Sequence, residues 1–98
     1  MKTAFVTGGS RGIGSAIALA LGKTFHVIVG FANSEDKAND VVKEIVAAGG
    51  SASAVQIDIS DAESVDNAFT TIEKEYNSVD VLINNAGVTK DNILPRMK

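Results

Sequence analysis

Eight residues near the start of the chain, Thr7-Gly8-Gly9-Ser10-Arg11-Gly12-Ile13-Gly14, have types and spacing suited to holding an anion. Gly8 can take backbone angles barred to other residues, Gly12 has no side chain to keep a ligand off the backbone, and Gly14 lets a following helix lie close on the preceding strand. The first amides of that helix are unpaired and point into the turn. Together with the helix dipole, which alone contributes about 0.3 to 2 kcal/mol, they favour negative charge there, so the chemistry expected is the cradling of a pyrophosphate by backbone N–H groups. A glycine-rich surface turn with no ligand is the other reading of these glycines taken alone.

The glycines at 8, 12 and 14 give G-x-x-x-G-x-G rather than the G-x-G-x-x-G of the older dinucleotide fingerprint. A Walker P-loop is excluded, because Gly14 is followed by Ser15 and Ala16 and not by Lys and Ser or Thr. Where a dinucleotide-binding chain would place an acid to grip a ribose 2'-hydroxyl, about 20 residues past the turn, this one has Asn33 and Ser34. Lack of a carboxylate there and the presence of Arg11 in the turn favour a 2'-phosphate, hence NADP (NADPH) over NAD. Glu35 and Asp36 close by weigh against that, unless they serve only a helix dipole. Asp58 either accepts a hydrogen bond from an adenine amino group or begins a turn, and Asn84 and Asn85, read as turn residues, need no ligand at all. His26, the chain's single histidine, reads as a surface residue opening a strand.

The elements that must position these residues follow from periodicity. Thr3 to Val6 reads as a buried parallel strand, and Ile13, Ala16, Ile17, Ala20 and Leu21 recur at helical spacing from Gly12 to about Leu21, with Gly22 as a left-handed stop. His26 to Phe31 is a second strand. Ser34 caps a second helix whose buried stripe is Ala38, Val41, Val42, Ile45 and Val46, and which Gly49-Gly50 ends. A link from Ser51 to Ser53 leads to a third strand, Ala54 to Ile57. Ser60-Asp61-Ala62-Glu63 has the form of a capping box for a third helix with Val65, Ala68, Phe69, Ile72 and Tyr76 on one face. Val79 to Ile83 is the fourth strand. This βαβαβαβ order predicts an α/β, doubly wound parallel sheet of Rossmann-like kind with strand order 3-2-1-4 and a crevice between strands one and four.

Ninety-eight residues make one small domain at most, expected to bury a little over ~60% of its unfolded surface. A net charge of -3 with scattered Lys and Arg supplies neither a basic stripe for nucleic acid nor a polybasic run for a membrane. There is no cysteine, which excludes disulfides and thiolate chemistry within these residues and suits a reducing cytoplasm. Met1 stands almost directly before the first strand, so no signal peptide is expected, and no apolar run approaches the ~20 residues of a membrane helix.

Thr7-Gly8-x-x-x-Gly12-x-Gly14, Asp58 and Asn84-Asn85-Ala86-Gly87 together resemble the short-chain dehydrogenase/reductase family over all 98 residues. Within it, the turn and the run Ala86-Gly87-Val88-Thr89-Lys90-Asp91-Asn92-Ile93-Leu94, then Arg96-Met97-Lys98, look like the 3-oxoacyl-[acyl-carrier-protein] reductases of fatty-acid synthesis. Acetoacetyl-CoA reductases share much of the pattern. The resemblance implies NADPH-dependent reduction of a 3-oxoacyl thioester, carried by acyl carrier protein or CoA, to the 3-hydroxyacyl product. It also implies that Gly8, Gly9, Ser10, Arg11 and Ile13, with Gly12 and Gly14, line the phosphates. Arg11, Asn33 and Ser34 then meet the 2'-phosphate, Asp58 and Ile59 border the adenine, and Asn85, Ala86 and Gly87 lie beside the ribose and nicotinamide.

Members of the family are longer, homotetrameric as a rule, and carry a catalytic serine and a Tyr-x-x-x-Lys pair that these residues lack. Tyr76 is followed four residues later by Asp80 and sits on a buried helical stripe. Residues 1–98 are therefore expected to form the amino-terminal part of a single NADP-binding Rossmann domain, an incomplete sheet without catalytic residues and inactive alone. A non-catalytic NADP-binding fragment or a regulatory protein on the same fold are the competing readings.

Overall fold

The computed structural model describes residues 2–8, 12–76 and 79–84. Strands β1 (Thr3–Thr7), β2 (His26–Phe31), β3 (Ser51–Gln56) and β4 (Val81–Asn84) alternate with helices α1 (Gly12–Leu21), α2 (Glu35–Ala47) and α3 (Ala62–Tyr76). All three strand pairs are parallel, in the order β3-β2-β1-β4 expected from the sequence. The first two crossovers step outward from β1 and the third returns to its other side. For right-handed connections that reversal puts α1 and α2 on one face and α3 on the other.

Packing agrees with this. Val6, Val27 and Val29 join Ala18 of α1 and Ala38, Val41 and Ile45 of α2 in one buried cluster, while Phe5 and Ile28 join Val65, Ala68, Phe69 and Ile72 of α3 in a second. β1 supplies both clusters, so all five of its residues are buried, as the unbroken apolar run Ala4-Phe5-Val6 requires. The Phe5 and Phe69 rings meet edge to face, 5.4 Å apart at 73°, a geometry worth about 0.5 to 1.5 kcal/mol beyond the area it buries.

Several boundaries differ from the sequence reading. The buried positions of α1 are Gly14 and Ala18, not Ile13, which is 73% exposed, nor Ala16 and Ala20. Small residues face the sheet there because the helix lies close to it. Gly22 does not end α1 in the left-handed region; it is buried, and a Cβ on it would stand 2.7 Å from Ile45 Cγ2. Val46 is exposed, and Val42 only half-buried. β3 starts at Ser51, so the expected link is part of the strand, and Ile57 lies just past it although buried. β4 begins at Val81, because Asp80 Oδ2 accepts from Thr3 N–H at 2.8 Å while Asp80 N–H donates to the Thr3 carbonyl at 2.9 Å.

The cap of α3 also shifts by one residue. Asp61 Oδ1 accepts from the N–H groups of Glu63 and Ser64, at 3.0 and 3.5 Å, and Ser64 Oγ accepts from Asp58 N–H at 2.9 Å. Ser60 turns back instead: its hydroxyl and N–H both donate to Asp58 Oδ1, at 2.6 and 3.0 Å. These two bonds hold the Asp58 carboxyl below its ordinary value, the hydroxyl contributing most.

Two outcomes test this packing. A Cβ on Gly50 would lie against the Gly22 carbonyl oxygen, a backbone atom that cannot move aside; Gly50→Ala is expected to lower stability by about 1 to 3 kcal/mol, read as a reduced urea midpoint. Ser60→Ala removes the stronger of the two bonds to Asp58, so the Asp58 carboxyl should titrate at higher pH by carbon-detected NMR; an unmoved midpoint sinks that account.

Candidate nucleotide-binding site

The residues singled out for chemistry gather at one edge of the sheet. Parallel strands all end on the same side, so the segments after β1, β2, β3 and β4 emerge together there. Gly8 follows β1; Asn33 and Ser34 follow β2; Asp58 and Ile59 follow β3; and Asn84 closes β4. Thr7 is the register partner of Asn84, which sets the ends of β1 and β4 side by side at the point where the winding reverses. Open α/β sheets bind ligands in the crevice at that point.

Backbone angles show why the turn takes the glycines it does. Gly8 has φ +65° and Gly12 φ +63°, both in the left-handed region that penalises a side chain. Nothing lies within 4 Å of where a Cβ of Gly12 would stand, so its conformation, and not crowding by protein, makes glycine the suited residue. Open space at a helix's first residue is what a ligand approaching the backbone needs. The first turn of α1 carries no acid, and exposed Ile13 flanks it. Ser15 Oγ donates to the Gly12 carbonyl at 2.9 Å, tightening that turn without using an amide. This start of α1 fits a phosphate group: unpaired amides, a positive dipole end and no competing carboxylate.

Thr7 ties the two lips of the crevice together. It is fully buried, and its hydroxyl lies 3.3 Å from the Ile83 carbonyl and 3.2 Å from Asn84 Oδ1. In the sequence Thr7 stands out only as the residue before Gly8, because these partners are 76 and 77 residues away.

At the far end of the crevice, Asn33 is exposed and Ser34 half-buried. Ser34 occupies the N-cap of α2 but makes no side-chain cap bond, which leaves its hydroxyl uncommitted to the helix that the sequence expected it to cap. Glu35 and Asp36 stand in the first turn of α2, as a helix N-terminus favours, and exposed to solvent. Gln56 Nε2 donates to the Ala32 carbonyl at 3.1 Å and Ile57 N–H to the Phe31 carbonyl at 2.7 Å, fastening the β2 and β3 ends together. Asp58 is exposed, and only its Oδ1 is used by Ser60. Both readings of Asp58 are thereby compatible: it builds a turn with one oxygen and keeps the other. Ile59 is half-buried against the α3 cluster. The expected contacts of Gly9, Ser10, Arg11, Asn85, Ala86 and Gly87, and the run from Val88 to Lys98, lie outside the described residues.

The remaining titratable candidates do not join this site. His26 and Tyr76 sit at the opposite, amino edge of the sheet, where their rings stack 4.7 Å apart at 29°. His26 is half-buried, not the surface residue expected, because Ser51 and Ser53 of β3 close over it. Among the described residues no group of three His, Asp or Glu is placed to hold a metal ion, and no helix is long and apolar enough to cross a membrane.

Known proteins of the same build carry the identification further. A dehydrogenase/reductase from Sinorhizobium meliloti superposes with a TM-score of 0.83 at 44% identity, over 89% of this chain and 35% of that one. A metagenomic short-chain oxidoreductase solved in complex with NADP gives 0.84 at 41% identity, over 89% and 39%. Among curated sequences, a 3-oxoacyl-[acyl-carrier-protein] reductase of Synechocystis is 49% identical over 98 residues, 99% of this chain and 40% of that protein. One from Staphylococcus epidermidis is 48% identical with the same coverage. The chain thus spans about 40% of the length of the curated relatives it matches. The family model described as short chain dehydrogenase matches residues 2–98, and with the parallel 3-2-1-4 sheet and its glycine turn at the switch point, the chain belongs to that family of oxidoreductases.

Proposed function

We propose that these 98 residues are the amino-terminal, NADPH-binding part of a Rossmann domain whose whole protein reduces 3-oxoacyl thioesters to 3-hydroxyacyl products in cytoplasmic fatty-acid synthesis. The observation that carries the reading is the start of α1: a left-handed Gly12 with open space before it, an acid-free first turn, and Gly8 left-handed at the end of β1. The names of the relatives at 48 to 49% identity support the thioester substrate on acyl carrier protein, and the NADP complex of a structural neighbour supports the cofactor. An acetoacetyl-CoA substrate is the nearest alternative. A homotetramer of the whole protein follows from the family likeness.

In this reading the bound nicotinamide supplies a hydride to the ketone carbon. The residues of this chain bind and orient. Gly8 to Ile13 hold the phosphates through backbone amides, with Gly14 letting α1 approach. Arg11, Asn33 and the uncommitted Ser34 hydroxyl take the 2'-phosphate. Asp58 and Ile59 border the adenine, while Asn85, Ala86 and Gly87 place the ribose and nicotinamide. The proton that completes the alcohol needs a donor, which the family draws from a tyrosine paired with a lysine. Tyr76 is not that tyrosine, because its hydroxyl bonds to Ser53 Oγ at 3.1 Å at the other edge of the sheet. Residues 1–98 are accordingly expected to bind without turnover, the same outcome a purely nucleotide-binding module would give.

Binding is the deciding measurement. NADPH titrated into the polypeptide should be retained more tightly than NADH, and Asn33→Asp should weaken NADPH by about 1 to 3 kcal/mol by setting a carboxylate against the 2'-phosphate. Equal affinity of Asn33→Asp and the parent for NADPH would remove the 2'-phosphate from this position. A protein that contains this sequence together with the catalytic half should oxidise NADPH in the presence of an acetoacetyl thioester.

A further inference from the structure

Asp58, where the chain leaves β3, is fastened at nearly every polar atom it has. Its N–H donates to Ser64 Oγ at 2.9 Å, and its carbonyl accepts from Asp61 N–H at 3.0 Å. Its Oδ1 accepts from both the hydroxyl and the N–H of Ser60, at 2.6 and 3.0 Å. Among the described residues Oδ2 alone has no partner, on a residue that is exposed. Ser60 is not needed by the helix that follows, because Asp61 caps α3. Both of its donors serve one carboxylate oxygen.

With the crevice read as the NADPH site, we propose that Ser60 is the positioning residue for base selection: it pins Asp58 Oδ1 so that Oδ2 stands ready to accept from the 6-amino group of adenine, and so sets a preference for an adenine nucleotide over a 6-oxo purine. An exposed aspartate ordinarily turns among its rotamers and presents either oxygen. Ordering such a side chain on binding costs about two- to tenfold in affinity, and a carboxylate already held in place escapes that loss. The selectivity follows from the atoms at the 6-position. Adenine offers a donor there and a 6-oxo purine an acceptor, so a fixed carboxylate accepts from the first and faces the second oxygen to oxygen.

The sheet fixes the same point from below. Ile57 N–H donates to the Phe31 carbonyl at 2.7 Å and Gln56 Nε2 to the Ala32 carbonyl at 3.1 Å, so the segment running into Asp58 is tied to the end of β2 next to Asn33. Base and 2'-phosphate of one adenosine then lie against the ends of two paired strands, β3 and β2. The bonds from Ser60, the hydroxyl foremost, also hold the Asp58 carboxyl below its ordinary range, which keeps it an acceptor at neutral pH.

Two dinucleotides test this, NADPH and reduced nicotinamide hypoxanthine dinucleotide phosphate, which has an oxygen in place of the 6-amino group. The parent protein should hold NADPH about tenfold or more tighter than the analogue. Ser60→Ala removes the shorter of the two bonds to Oδ1 and should shrink that ratio by about two- to tenfold. Damage to the fold or to phosphate binding weakens both ligands alike and leaves the ratio unchanged. Ser60→Thr keeps the hydroxyl, has solvent beside it for the added methyl, and should restore the parental ratio. Beside Asp58→Ala, Ser60→Ala should change the ratio no further, because it acts through that carboxylate. A parent without preference for adenine, an unchanged ratio in Ser60→Ala, a threonine that fails to restore it, or a further change beside Asp58→Ala overturns the proposal. A parent that binds no NADPH overturns the nucleotide reading and this proposal together, whereas NADPH binding with a ratio indifferent to Ser60 overturns this proposal alone.

Discussion

Everything in this fold hangs on β1 being buried on all sides. It lies between β2 and β4 within the sheet and between two helical layers across it, and each of its five residues is inaccessible. A strand so placed has no polar face, and its amides and carbonyls are satisfied only if a neighbour runs on either side. Parallel neighbours require crossovers. The helices follow from that, as does the reversal of winding that opens a crevice where β1 meets β4.

The same arrangement separates two kinds of chemistry. Parallel strands point all their carboxyl ends one way, so the left-handed glycines, Asn33, Ser34 and Asp58 share an edge although the sequence scatters them over fifty positions. The amino ends collect what is left: Asp80 locked to Thr3, and the His26, Ser51, Ser53 and Tyr76 chain that ties α3 down. One edge carries the left-handed glycines and an acid-free helix start. The other consumes its polar groups internally.

Where side-chain type alone decides structure, the sequence was legible. His26–Phe31 is an apolar run with no other use, and its bounds matched; so did Gly12–Leu21, the α3 stripe and the strand order. Misreadings fall where a distant partner decides. Ser51 to Ser53 looks like a linker because serine and alanine have no strand signature, yet pairing with His26 to Ile28 makes it strand. Ile13 outweighs Gly14 and Ala18 on any hydrophobic scale, but close approach to the sheet selects small residues and turns Ile13 outward at the mouth of the crevice. Ser60 and Asp61 are equally good caps; the preference of Ser60 for Asp58 left the helix to Asp61. The glycine turn was readable because φ above zero admits few alternatives, whereas the Thr7 to Asn84 contact depends on a register no local pattern encodes.

The reciprocal bonds between Thr3 and Asp80 join residues 77 positions apart. Loops of that span close late, and contacts of high sequence separation slow folding. During synthesis at about 5 to 20 residues per second, roughly 4 to 15 seconds pass between the appearance of Thr3 and that of Asp80. Through that interval β1 can pair only with β2, its other edge being an exposed apolar template of the kind that recruits foreign strands. Completion of the crevice and covering of the β1 edge are thus one event, the arrival of β4.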